Sequence, residues 1–122
     1  YDVRFFELFR IHVVRNAELA LIFVDFILHT GKAHWELLVR AWAVENQMFV
    51  VAPNQAGSAP GTGASYGHSL IIGPWGEILA ACGDETEGIA LADLDLSYLR
   101  RVRTELPVLQ HRKPLRWVRN RL

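Results

Sequence analysis

The chain has 122 residues, of which 51% are apolar, a formal net charge of zero and a single cysteine. This length and apolar content predict one globular domain at most and exclude a disordered chain. The balanced charge gives no overall attraction to nucleic acid or anionic membranes, no apolar run approaches the roughly 20 residues of a membrane span, and one cysteine excludes an internal disulfide, which fits a reducing, cytoplasmic environment.

The first half of the chain predicts two helices, each followed by a buried strand. Asp2 is placed to cap a helix over residues 3–15. A continuously apolar run at residues 19–24 is typical of a strand covered on both faces. A second helix with a broad apolar stripe is predicted over residues 32–46, and a second buried strand over residues 49–52.

The second half predicts mainly strands. Residues 55–64 are rich in Gly, Ser, Ala and Pro and predict a surface loop. Strands are predicted over residues 68–72, 78–82 and 89–94, with a tight turn at 74–77 between the first two, and Asp95 can cap a last helix ending at Arg103. This order predicts an α/β fold that forms half of an α-β-β-α sandwich, so its apolar sheet needs a second sheet on the inner face.

Three patterns suggest chemistry but are better explained by structure. Ser65 stands in a G-x-S-x-G pattern, yet a loop precedes it and a strand follows it, the reverse of a nucleophile elbow. Cys82 has no basic residue nearby in sequence to activate its thiol, which indicates a structural cysteine. The histidines lack both the i,i+4 spacing and the cysteine partners of zinc ligands, so neither a metal nor a cofactor is expected.

Five segments together carry a resemblance to a known family. They are Tyr1-Asp2-Val3-Arg4-Phe5, Thr30-Gly31-Lys32-Ala33-His34-Trp35-Glu36, Arg40-Ala41-Trp42-Ala43-Val44-Glu45-Asn46, the stretch 67–76 around Gly73-Pro74-Trp75-Gly76, and the stretch 106–114. In this order and spacing the chain resembles the carbon–nitrogen hydrolase (nitrilase) superfamily, and within it the Nit-type amidases that act on deaminated glutathione and related ω-amides. The resemblance implies that residues 1–122 are the C-terminal half of such a domain, beginning just after its catalytic cysteine.

The resemblance implies an amidohydrolase with a Glu-Lys-Cys triad. The Cys thiolate attacks an amide or nitrile carbon, Glu acts as general base and acid, and Lys stabilises the developing charge. All three residues are expected upstream of Tyr1, so no catalytic side chain is expected in the chain, and the isolated chain is expected to be inactive. The backbone N–H of Tyr1 is the one candidate oxyanion donor.

The resemblance also assigns supporting roles. The candidates for a substrate pocket are Phe26, Thr30, His34, Trp35 and Glu36. The candidates for structural support are Arg4 with Glu7 and Arg40 with Glu45. A plain surface pair is the alternative for Arg4 and Glu7, core packing for Trp35, and a solvated carboxylate for Glu36.

Two functions stay open at this stage. The first is an amidohydrolase for a small linear amide, completed by the missing N-terminal half, and the second is a non-catalytic oligomerisation or scaffold remnant of the same fold. Both predict a homo-oligomer, since an uncovered apolar sheet face marks an interaction surface and the family pairs subunits through the two long helices. The basic tail around Trp117 permits nucleic acid contact, but the neutral charge and the resemblance favour packing between subunits.

Overall fold

The chain alternates helices and strands, and a computed structural model describes it at residues 2–59, 61, 63–83 and 87–113. The elements are a 3-10 helix Asp2–Arg4, α1 Phe6–Val13, β1 Leu19–Leu21, α2 Leu28–Asn46, β2 Phe49–Ala52, β3 Ala56–Ala59, β4 Gly63–Tyr66, β5 Leu70–Ile72, β6 Ile78–Ala81 and α3 Leu96–Glu105. The oxyanion candidate Tyr1 and the tail around Trp117 lie outside the described residues.

A four-stranded sheet in the order β1-β2-β5-β6 organises the described part of the chain. β1 and β2 are parallel, which requires a crossover connection, and α2 supplies it. β5 pairs antiparallel with both β2 and β6. The predicted tight turn joins β5 to β6: Gly73 N donates to Glu77 O at 2.9 Å, and Gly76 has a φ of 87° that suits glycine. The predicted α/β fold is confirmed.

The helices α1 and α2 form the core with one face of this sheet. Of the predicted apolar stripe on α2, Trp35, Val39 and Trp42 are buried and Leu38 is partly buried against the core, so the stripe is confirmed. Phe9 of α1 contacts Trp42 edge to face, and burying a side chain of this kind stabilises the fold by about 1.5–3 kcal/mol. Among the described helices, none is long and apolar enough to cross a membrane.

The opposite face of the sheet is exposed along β1, although Phe49 of β2, on the same face, is buried. Ala20 and Ile22 pack into the core, whereas the alternate residues Leu21 and Phe23 are 58% and 77% exposed. Successive strand side chains point to opposite faces, so the apolar run at 19–24 supplies one side chain in two to the open face. The strand is shorter than predicted and ends at Leu21, and its exposed face is the one that the sequence predicts to need a second sheet.

Both long helices begin elsewhere than predicted. The predicted helix over residues 3–15 is split into the 3-10 turn and α1, because Phe5 between them has an extended backbone with φ −118° and ψ 100°. Asp2 therefore caps no α-helix, and Phe5, at 49% exposure, lies outside the core. α2 starts before residue 32, since Gly31 N already donates to Ile27 O at 2.8 Å.

The segment predicted as a loop over residues 55–64 forms most of a β-hairpin. β3 and β4 pair antiparallel, with Ala56 opposite Tyr66 and Gly57 opposite Ser65. The small side chains hide the alternation that normally identifies strands, so composition alone led to the wrong prediction. Ser65 thus lies within a strand, which excludes the nucleophile-elbow geometry.

The predicted strand over residues 89–94 is absent. Ile89 and Leu91 are 88% and 84% exposed, and none of the described strands pairs with this segment. The segment leads into α3, where the Asp95 side chain accepts a hydrogen bond of 2.8 Å from Ser97 N, which confirms the predicted cap. The alternating apolar residues of this segment therefore do not form a strand, because no described strand pairs with them.

Candidate active-site region

Two aromatic rings predicted to border a pocket contact each other where the chain passes from β1 into α2. The ring centroids of Phe26 and Trp35 are 5.1 Å apart at a tilt of 49°, and both residues are buried. The indole Nε1 of Trp35 donates a hydrogen bond of 2.6 Å to the carbonyl oxygen of His68. We call Phe26 and Trp35 the aromatic platform, because neighbouring segments pack on these two rings.

The guanidinium of Arg4 lies over this platform, with its carbon 5.3 Å from the Phe26 ring centroid. Its Nη1 is 3.3 Å from Nδ1 of His34. A guanidinium only donates, so Nδ1 accepts, and a neutral His34 carries its proton on Nε2. No described carboxylate forms an ion pair with Arg4, and its predicted partner Glu7 is exposed. The surface pair between Arg4 and Glu7 is therefore not formed.

Asn54, which sequence reasoning missed, joins the segments around the platform. The residue is 7% exposed, its Oδ1 accepts from Phe26 N at 2.9 Å, and its Nδ2 donates to Gly67 O at 2.5 Å. Its backbone N donates to Ser69 Oγ at 3.0 Å. Buried amides require such partners, and Asn54 uses both ends of its side chain. The available signal was a polar residue standing two places after a buried strand.

The β3–β4 hairpin packs against the platform through Tyr66. Its backbone N donates to Phe26 O at 2.7 Å, and its ring stacks on the ring of His68 with centroids 4.1 Å apart and an 8° angle. Gly31 of α2 makes this approach possible, because a Cβ there would lie 2.3 Å from Tyr66 Cβ. The glycine in the Thr30-Gly31 pair therefore admits the hairpin to the start of α2.

The other predicted residues of α2 do not join the platform. The Thr30 hydroxyl donates to a backbone carbonyl in the same turn at 3.4 Å. Glu36 pairs with Arg40 at 3.1 Å, and both side chains are about half exposed. Arg40 forms no ion pair with Glu45 among the described residues, since residues five apart do not share one side of a helix, and its Nε donates to Gly76 O at 2.9 Å instead. The structural-support role of Arg40 and Glu45 stays a prediction.

Glu36 and Glu45 instead line a surface groove, which we call the outer groove. Its apolar lining comes from Leu37 and Val44 of α2 and from Trp75, which is 60% exposed. The backbone carbonyl of Glu45 accepts a hydrogen bond of 2.8 Å from the guanidinium of Arg10 on α1. Burial is the main cause that lowers the pKa of Arg10; Arg112 lowers it further and Glu45 raises it.

Two cavities flank the carboxyl end of β1. The first measures about 430 Å³ and follows the free edge of β1; its lining includes Asp2, Val3, Phe9 and residues 19–24. The second measures about 480 Å³ and lies where β1 and β2 end; its lining includes Asn54, His68, Cys82 and Glu87. Both include Phe23 and Val24, so they are neighbours. In open α/β sheets ligands bind at the carboxyl ends of strands, which makes this end the candidate site.

Cys82 is half-buried at the end of β6 and lines the second cavity. Its backbone N donates to Ser69 O at 2.9 Å, which continues the pairing of β5 with β6. Within the described ranges no group of three or more His, Cys, Asp or Glu residues is arranged to hold a metal ion. The residue keeps the structural position that its sequence context predicts.

Comparison with known proteins decides the family. A family model described as carbon-nitrogen hydrolase matches residues 1–104. The chain belongs to the carbon-nitrogen hydrolase family. It is 47% identical over 114 residues to the deaminated glutathione amidase of Bos taurus. The matched region covers 93% of this chain and 34% of that protein.

Solved structures of carbon-nitrogen hydrolases show the same fold. The Caenorhabditis elegans NitFhit protein matches with a TM-score of 0.88 at 44% identity, covering 93% of this chain and 27% of that chain. Saccharomyces cerevisiae Nit3, a member of branch 10 of the nitrilase superfamily, matches with a TM-score of 0.86 at 33% identity, covering 93% and 42%. The predicted family and its Nit-type branch are confirmed, and the chain spans about a third of the length of the Bos taurus relative.

Proposed function

We propose that this carbon-nitrogen hydrolase chain forms the C-terminal half of a domain that cleaves the C–N bond of a small linear amide. The observation that carries the proposal is the 47% identity to a deaminated glutathione amidase, of which the chain spans 34%. The open sheet supports it, because the exposed Leu21 and Phe23 offer an apolar face to the rest of such a domain.

In the proposed reaction a Glu, a Lys and a Cys come from the segment upstream of Tyr1. The thiolate attacks the amide carbon, and the resulting oxyanion is stabilised by Lys and by the backbone N–H of Tyr1. Collapse breaks the C–N bond, and Glu gives its proton to the nitrogen, which leaves as ammonia. Glu then takes a proton from water, the hydroxide attacks the thioester, and the carboxylic acid product leaves as the thiolate is restored.

The cavity beside β1 supports pairing with that upstream segment. β1 pairs with β2 on one side only in the described sheet, so its other edge has unpaired backbone groups. Asp2 and Val3 line this cavity together with β1. A strand laid along β1 would satisfy the edge and fill an apolar groove, and it would bring its end next to Phe23 and Val24, at the carboxyl end of β1.

In the assembled site we propose Phe26 and Trp35 as the pocket wall, with Thr30 and His34 at its rim. Arg4 supports Phe26 through its contact with the ring, and it has no carboxylate partner among the described residues. The pocket role of Glu36 stays a prediction. A cytoplasmic location also stays a prediction.

A chimera tests the proposal. The part of the Bos taurus amidase upstream of its match is joined to Tyr1, and ammonia release from deaminated glutathione is measured. We expect turnover by the chimera, none by the 122-residue chain alone, and none when the Cys preceding Tyr1 is changed to Ala. Ammonia release by the isolated chain, or a folded chimera without turnover, would contradict the proposal.

We also propose that two copies of the chain associate through the outer groove. In an antiparallel pair of α2 helices related by a two-fold axis between residues 38 and 39, Lys32 faces Glu45 of the partner subunit and Ala33 faces Val44 of the partner subunit. The groove thus complements itself in charge and in apolar surface, as a two-fold interface requires. This groove also supports the alternative function, a non-catalytic oligomerisation domain. If that alternative is right, the chimera should be folded and inactive.

A further inference from the structure

His68 borders the cavity at the carboxyl ends of β1 and β2 with a strained backbone. Its φ of 56° is left-handed, a region that side chains with a Cβ disfavour. Three contacts hold it there: its N–H donates to Gly83 O at 3.0 Å, its carbonyl accepts from Trp35 at 2.6 Å, and its ring stacks on Tyr66. Strained residues that their surroundings hold in place cluster at functional sites.

The contacts also fix the proton on the His68 ring. Nδ1 lies 2.7 Å from the carbonyl oxygen of Tyr66. A carbonyl oxygen only accepts, so Nδ1 carries the proton. In the neutral ring Nε2 is then a hydrogen-bond acceptor, and no described residue donates to it.

The other polar side chains of the cavity are mostly hydrogen-bonded or acceptors, and the remaining donors are the thiol of Cys82 and the second N–H of each amide. Asn54 has both ends of its amide engaged, and Ser69 Oγ exchanges hydrogen bonds with the Asn54 backbone. Gln55 donates one N–H of Nε2 to Ala56 O at 3.0 Å and keeps its oxygen and its second N–H, and Glu87 adds a carboxylate. No Lys or Arg is among the described residues that line the cavity. Nε2 of His68, the Gln55 oxygen and the Glu87 carboxylate are thus acceptors of this cavity for which no described donor is recorded.

We propose that this cavity binds the NH2 or ammonium nitrogen of a small ligand and that Nε2 of His68 is the acceptor that selects for it. The volume of about 480 Å³ suits a ligand of this size. The identification of the ligand as the amide substrate or its ammonia product rests on the proposed function. The acceptors that line the cavity are observed independently of that function. Within that function His68 is a specificity-determining residue for primary amides.

Nitrogen NMR on the 122-residue chain tests the site directly. We expect the long-range 15N spectrum of His68 to show the Nδ1–H form. Propionamide should shift the Nε2 signal, whereas N,N-dimethylpropionamide, which has no N–H, should shift it at least tenfold less at equal concentration. An Nε2–H form of His68, or equal shifts from the two amides, would overturn the proposal.

Two variants test the ring of His68 while they keep the backbone contacts of residue 68. His68→Phe keeps a ring for stacking on Tyr66, and His68→Gly adopts a positive φ without strain; both keep the carbonyl that holds Trp35. Each should bind propionamide about three- to tenfold more weakly, the loss of one hydrogen bond. His111→Gln, an exposed histidine outside the cavity, should bind as the unchanged chain does. Unchanged affinity in a folded His68→Phe or His68→Gly chain would contradict the assignment.

Turnover by the chimera distinguishes the two proposals. If His68→Gly raises KM for a primary amide with little change for an N,N-dimethylated one, both stand. If the chimera turns over and His68→Gly leaves both KM values unchanged, the assignment of His68 fails alone. If the chimera is inactive while the chain still binds propionamide through His68, the proposed reaction fails and the binding site stands.

Discussion

The indole nitrogen of Trp35 donates a hydrogen bond of 2.6 Å to the carbonyl oxygen of His68, 33 positions away in the sequence. Trp35 belongs to the buried stripe of α2, and His68 lies at the entrance to β5 and on the cavity wall. One bond therefore connects the hydrophobic core to the candidate site. A substitution of Trp35 is therefore expected to alter the backbone at His68.

Trp35→Phe should destabilise the chain by about 1–3 kcal/mol. The substitution keeps an aromatic ring next to Phe26 but leaves the carbonyl of His68 without its donor. Trp75→Phe is the matched control, because Trp75 is 60% exposed and should change stability by less than about 0.5 kcal/mol. Urea unfolding of both variants decides the matter, and equal effects would show that the hydrogen bond contributes nothing.

Asn54→Ala should be among the most destabilising polar substitutions in the chain. It leaves Phe26 N and Gly67 O unpaired in buried surroundings, at a cost of about 1–3 kcal/mol for each group. The neighbouring Gln55→Ala is the control, since Gln55 is exposed and its side chain bonds only to the adjacent carbonyl of Ala56. Thermal unfolding should separate the two by several degrees; a smaller loss in Asn54→Ala than in Gln55→Ala would refute the role of Asn54 as a link.

The sequence predicted what depends on local periodicity. The stripe of Trp35, Val39 and Trp42 repeats at helical spacing, and the structure buries all three. Asp95 met the local requirement of a helix cap and forms it. The β3–β4 hairpin was missed because its small side chains carry no alternation, and its place is set by a distant contact, Tyr66 on Gly31.

For the site residues too, the sequence indicated local features but not their distant partners. Phe26 and Trp35 were named from the resemblance, and their contact is formed, but the partners that hold them were not predicted. Asn54 reaches Phe26 across 28 positions and His68 reaches Trp35 across 33, and no pattern within one segment records such pairings. The sequence thus indicated two residues that contact each other, whose role as a pocket wall stays a prediction, while the hydrogen bonds that hold them required the structure.

Gly31→Ala should destabilise the chain although alanine favours helices. Helix propensity alone would stabilise it by up to about 1 kcal/mol. The new Cβ would lie 2.3 Å from Tyr66 Cβ, so the hairpin has to move, and we expect a net loss of about 1–3 kcal/mol. Gly83→Ala is the control, because no atom lies within 4 Å of a Cβ there. In a Tyr66→Gly background the cost of Gly31→Ala should vanish, and an unchanged cost would place its cause elsewhere.

Glu36→Gln tests the pocket role that the resemblance assigns to Glu36. In the chimera that role predicts a loss of kcat on the order of 100-fold. The melting temperature should not change, since the half-exposed pair with Arg40 contributes only about 0.3–0.5 kcal/mol. Glu45→Gln, in the same groove, serves as the control for surface effects. Full activity of Glu36→Gln would assign the carboxylate to the outer groove alone.

Lys32→Glu should weaken self-association of the chain by placing like charges opposite Glu45 of the partner subunit. Since the proposed two-fold axis repeats this contact, the single reversal introduces two repulsive pairs, and Lys32→Glu combined with Glu45→Lys restores attraction at both. We expect a dissociation constant about tenfold higher for each single reversal and near the original value for the double reversal, measured by sedimentation equilibrium at low salt, where exposed charges are least screened. The association should also weaken with Leu37→Asp, which removes an apolar contact that salt does not screen. A double reversal that associates no better than Lys32→Glu alone would exclude the antiparallel pairing of α2, even if the chain proves to be oligomeric.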